Sequence, residues 1–176
     1  MATNRTSKQA TSSRAARKRA TTEARNRDAI AFLSAQHREV EELFKQFEKL
    51  GEDGSLDEKE PIVRIACEKL TVHATVEEEI FYPAAREVPD VDSLLNEAEV
   101  EHATAKDLIA QLDSMDAGDE LFSATFTVLS EYIKHHVKEE EGELFPKLRK
   151  SGMDLDQLGE ALAAHTDELT AAEAEM

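Results

Sequence analysis

Apolar side chains recur at steps of three and four residues along most of this chain, and short turns interrupt the recurrence. Leu33, His37, Val40, Phe44 and Phe47 form a first seam of this kind, with Asp28 as an N-cap and Gly51 as a stop, which predicts a helix over 28–50. Residues 51–57, rich in Gly, Asp and Ser, read as a loop. Val63, Ala66, Leu70, His73, Glu77 and Ile80 then make the seam of a helix over about 58–88, with Pro61 in its first turn and Pro83 expected to kink or nearly end it. Leu95, Ala98, His102, Ala105, Ile109 and Leu112 predict a third helix over about 91–116. Phe122, Phe126, Leu129, Ile133, His136 and Glu140 predict a fourth, over about 119–150. An Ala- and Leu-rich stretch over 154–174 predicts a short fifth helix on the outside or end of the others.

The halves repeat. His73 and Glu77 recur as His136 and Glu140, and Pro83 as Pro146, all at an offset of 63, while His37 maps onto His102 at 65. Each half is a helical hairpin, and two hairpins with short connections make an all-α, antiparallel, up-down four-helix bundle. The expected organisation is a basic tail over 1–27, the bundle over 28–151 and an accessory helix over 152–176.

Six residues break the apolar character of the seams: His37, His73, Glu77, His102, His136 and Glu140. A histidine and a carboxylate four residues apart lie on one face of a helix, one turn from each other. Two buried, unpaired carboxylates would cost several kcal/mol each, on the order of a small domain's whole stability. A cation would neutralise them, and neutral imidazoles would complete its coordination. The alternative is a hydrogen-bonded His–Glu network in a bundle that holds no metal. Glu78, Glu79, Glu139, Glu141 and Glu143 read as solvated faces, with an imidazole-orienting role open to one or two of them. His135 and His165 fall off the seams and read as surface residues that would at most add a ligand.

Composition narrows the function further. The net charge is −17, yet residues 1–27 carry eight Lys/Arg against one acid, which leaves 13 basic and 37 acidic side chains in the rest. So acidic a body argues against nucleic-acid binding by the folded part, while the basic tail, with no large apolar side chain after Met1, reads as disordered and able to contact anionic surfaces. The single cysteine, Cys67, excludes an intrachain disulfide and reads as a small core residue. No apolar run is long enough to span a bilayer and no secretory h-region is present, so a soluble, cytoplasmic location is expected.

The motif set His37, His73-x-x-x-Glu77, His102 and His136-x-x-x-Glu140, with Phe-Tyr-Pro or Leu-Phe-Pro after each carboxylate, resembles the hemerythrin-like HHE cation-binding domains over about residues 28–150. The resemblance implies two non-haem iron ions joined by an oxo or hydroxo bridge, with Glu77 and Glu140 also bridging and the four histidines in terminal positions. It implies a small gaseous or peroxide ligand (dioxygen, nitric oxide or peroxide) in a dry pocket for which Phe44 and Phe126 are the expected lining. An iron-sensing, storage or repair module without turnover is the alternative. Oxygen-carrying hemerythrins have a second histidine where this chain has Lys106, and place the fourth-helix carboxylate one residue beyond Glu140. The sequence is similar to the broader HHE group rather than to the carriers.

Overall fold

The computed structural model describes residues 28–51 and 53–174, so the basic tail lies outside the described residues. Every regular element among the described residues is helical. The first rod is α1, Ala29–Leu50. Asp28 caps it by accepting the N–H groups of Ile30 and Ala31 at 2.8 and 3.3 Å, and Gly51 stops it with φ 62°. The second rod is α2, Leu56–Val76, followed without a break by a π-helical turn, Glu77–Phe81, and by α3, Tyr82–Ala85. The third is α4, Asp92–Ser114. The fourth repeats the second: α5, Phe122–Glu139, a π-turn over Glu140–Leu144, and α6, Phe145–Ser151. Gly152, at φ 82°, ends it, and α7, Leu155–Ala174, follows. Rods one and two form one hairpin and rods three and four the other, and α7 lies against α1 and α2.

Two details differ from the sequence expectation. The second rod starts at Leu56, so Pro61 stands in its second turn rather than its first. Glu58 secures that start by accepting the backbone N–H and the hydroxyl of Ser55 at 3.3 and 2.7 Å. Pro83 nearly ends its rod, as expected, with α3 stopping at Ala85, but the helix in front of it, and in front of Pro146, is widened into a π-turn. A proline lacks an N–H and crowds the carbonyl four residues back. The chain responds by taking one wider turn: the Tyr82 N–H reaches the Glu77 carbonyl, and the Phe145 N–H reaches that of Glu140.

The core is divided into two apolar plugs. One gathers Val40, Phe44, Val63, Leu70, Ile109, Phe126, Leu129 and Ile133. The other gathers Leu33, Val76, Phe81, Tyr82, Leu95, Leu144, Phe145 and, from α7, Leu162. Each rod passes from one plug to the other through a single polar step, and those four steps lie at one level of the bundle.

Candidate metal centre

The polar level holds the six seam residues. His37, His73, His102, His136, Glu77 and Glu140 are all buried, none more than 6% exposed. The Nε2 atoms of His37 and His73 stand 3.1 Å apart, and those of His102 and His136 stand 3.3 Å apart. Glu77 Oε2 lies 3.2 Å from His73 Nε2 and 3.3 Å from His102 Nε2. Glu140 Oε2 lies 3.3 Å from His37 Nε2 and 3.8 Å from His136 Nε2. Each carboxylate thus touches a histidine of both pairs. Donor atoms about 2.1 Å from one ion stand roughly 3.0–3.5 Å from one another, which is close to the spacing here.

Electrostatics make the same point. Burial, and then the neighbouring Glu140 carboxylate, push the Glu77 carboxyl well above its ordinary range. Burial opposes charging of His37 too, but the adjacent carboxylates of Glu140 and Glu141 outweigh it and raise that imidazole to about 10. Burial holds the imidazoles of His73 and His102 below the ordinary value. Burial also disfavours the Glu140 carboxylate, but His37 beside it and the other nearby imidazoles overcome this and lower it. In the metal-free centre His37 thus favours its charged form and Glu77 its neutral one, because the carboxylates lie buried together without a cation. Even so, Glu77 Oε1 and both oxygens of Glu140 are buried with no hydrogen-bond donor aligned on them. Orphaned anionic oxygens beside four Nε2 atoms suit a cation better than a closed hydrogen-bond network.

The far side of every imidazole is held by a residue next in sequence to a donor on another rod. Gln36 meets His73 Nδ1 at 2.8 Å, and Glu101 meets His136 Nδ1 at 2.8 Å. Glu78 meets His102 Nδ1 at 3.1 Å, and Glu141 meets His37 Nδ1 at 2.8 Å. These contacts leave every Nε2 facing inward, and on a neutral ring with its proton on Nδ1 the Nε2 lone pair is free to bind a cation. Glu78 and Glu141 thus take the orienting role open to the acidic faces, while Gln36 and Glu101 were not singled out by sequence reasoning. Their signal was adjacency to His37 and His102, on the side of the helix that turns toward the next rod. Lys106, where oxygen carriers have a histidine, bonds both oxygens of Glu78 at 2.7 and 2.6 Å and stabilises its charge.

Tyr82 was also missed. It is 1% exposed, and its hydroxyl lies 3.4 Å from Glu77 Oε2 and 3.3 Å from His102 Nε2. A regular helix would turn a residue five positions on well away from Glu77, whereas the π-turn brings it round. The repeat places Phe145 at the matching position, stacked on the His37 ring at 6.0 Å.

A cavity of about 20 Å³ opens on the four imidazoles, with Val40, Leu70, Ala105, Ile109, Ile133 and Val137 as its apolar wall. That is room for little more than one water-sized molecule. Phe44 and Phe126 are not in its wall; they pack edge to face, rings 5.5 Å apart, deeper in the first plug. Val40, one turn short of Phe44, supplies the α1 side instead. His135 points outward and is 60% exposed at the side chain, and His165 bonds Glu79 at 2.7 Å, so neither joins the centre. Cys67 is buried, and burial pushes its thiol up to about 12, which leaves it protonated and unreactive.

A helical bundle with buried imidazoles and carboxylates at one level is the architecture of a cation-binding protein. The family profile "Hemerythrin HHE cation binding domain" matches residues 28–148, and the chain belongs to that family. Among solved structures, it is similar to a Hemerythrin HHE cation binding domain-containing protein from Mycobacterium kansasii, a homologue of Rv2633c. The two share 21% identity, over 82% of this chain and 88% of that one, with a TM-score of 0.68. No curated protein sequence matches this chain significantly.

Proposed function

We propose that His37, His73, His102, His136, Glu77 and Glu140 hold two iron ions, and that the pair binds or reacts with dioxygen, nitric oxide or peroxide. The observation that carries this reading is the pair of buried carboxylates with orphaned oxygens, each lying between two inward-facing histidine pairs. Three or four protein donors per ion leave positions open on six-coordinate iron, and iron supplies redox chemistry there. The chain's own residues do the rest. Gln36, Glu78, Glu101 and Glu141 fix the imidazoles, and the apolar wall excludes bulk water and anything larger than a few atoms. The Tyr82 hydroxyl can donate a hydrogen bond to Glu77 Oε2. The lone buried thiol supports a reducing compartment such as the cytoplasm.

Metal analysis of purified protein, with spectra recorded as peroxide, nitric oxide and dioxygen are added, tests the proposal. Two irons per chain and a spectrum that responds to at least one ligand are expected. A chain that binds no iron overturns the reading. A second reading, an iron-sensing or iron-handling module, is supported by the strain of the metal-free centre, since orphaned carboxylates make stability report metal. Iron-dependent melting with a spectrum indifferent to all three ligands would favour it.

A further inference from the structure

A second group of donors lies outboard of the buried centre. The outward-pointing Nε2 of His135 stands 3.3 Å from Oε1 of Glu139 and 3.8 Å from Oε1 of Glu101, and the three donor atoms fall within 4.8 Å of one another. Two observations separate this group from an ordinary acidic patch. Glu101 is itself 8% exposed, and its two oxygens face different sites: Oε2 accepts from His136 Nδ1, while Oε1 faces His135. A cavity of about 10 Å³ is also lined jointly by Glu101 and Glu139 of this group and by His136, Glu140 and Leu144. Among its lining residues the 3% exposed Glu140 presents a carboxylate on which no donor is aligned.

We propose that Glu101, His135 and Glu139 form a surface site for a divalent first-row transition ion, and that this site passes ions by way of the shared Glu101 to the buried centre. One imidazole and two carboxylates suit such an ion, and the rest of its coordination remains water, which keeps it exchangeable. The acidic body of the protein concentrates cations at the surface. The shared Glu101 places the outer site one side chain from His136. The transfer step rests on the reading of the buried centre as a metal pair; the surface site does not.

Two experiments on the full-length chain decide the matter. In the first, Co²⁺ is titrated into a Glu77→Gln/Glu140→Gln variant and the bound ions are counted, with the His135 ring signals followed by NMR. Broadening of those signals, and the loss of one bound ion when His135→Ala is added, are expected. Unchanged stoichiometry with unbroadened His135 signals overturns the site. In the second, metal-free protein is mixed anaerobically with Fe²⁺, with and without His135→Ala or Glu139→Gln. Loading should slow by about tenfold in the variants while final iron content stays the same. Equal rates overturn the transfer step. If the parent protein takes up no buried iron, the metal-pair reading fails and the transfer step with it, and the Co²⁺ experiment still decides the surface site.

Discussion

Replacing Glu77 with glutamine should change the stability of this protein in opposite directions with and without metal. Glu77 is 0% exposed, its Oε1 has no hydrogen-bond donor, and burial and the facing Glu140 push its carboxyl well above the ordinary range. The metal-free native state therefore favours the protonated carboxyl there more than the unfolded chain does. An amide of the same shape needs no such proton, and its NH₂ group can donate to Glu140. Replacing a poorly satisfied buried carboxyl by a neutral isostere that needs no proton uptake is worth about 2 kcal/mol, or roughly 4–8 °C in Tm for a domain of this size. With metal the order changes. At an iron concentration about 1,000 times its dissociation constant, the parent gains ~4.1 kcal/mol from binding. A variant with about 100-fold weaker affinity gains only ~1.4 kcal/mol, which closes the gap and reverses it slightly. Thermal melts of both proteins, metal-free and with excess Fe²⁺ under anaerobic conditions, give all four values. A variant less stable than the parent without metal, or two equal metal-induced increments, would refute the reasoning.

The remaining predictions concern the centre's protons, its outer partners and its cavity. The metal-free protein should lose stability as pH rises from about 6.5 toward 10, because the folded His37, raised to about 10, keeps a proton that the unfolded chain releases near its ordinary value of 6.5; melts across that range check it. Iron loading at neutral pH should accordingly release protons, which calorimetry in buffers of different ionisation enthalpy counts, and affinity should fall as pH falls. Glu141→Gln removes the charge that orients His37 and should weaken iron binding about 10- to 100-fold, read by chelator competition. Ala105→Val should fill much of the cavity of about 20 Å³, so that iron content holds while nitric oxide or peroxide no longer perturbs the spectrum; its overpacking cost should stay within about 1–3 kcal/mol.

The four rods, their seams and the six inward-facing donors followed from the sequence by itself. Helix periodicity is local, and a polar residue inside an apolar seam is visible in a string of letters. The doubling of His73-x-x-x-Glu77 at His136-x-x-x-Glu140 carried the pairing of halves for the same reason. What surrounds the donors was decided only by the tertiary structure. Glu78, Glu101 and Glu141 are three among 38 acidic side chains, and nothing local distinguishes a glutamate that crosses to another rod's imidazole from one that faces water. Tyr82 was hidden because a regular turn points it elsewhere, and only the widening in front of Pro83 swings its hydroxyl onto Glu77. Phe44 and Phe126 matched the expected pocket in type but not in place, because the level of a side chain along a bundle depends on how neighbouring rods are staggered. Seam membership is a property of one helix, whereas contacts across the seam are a property of four helices packed together.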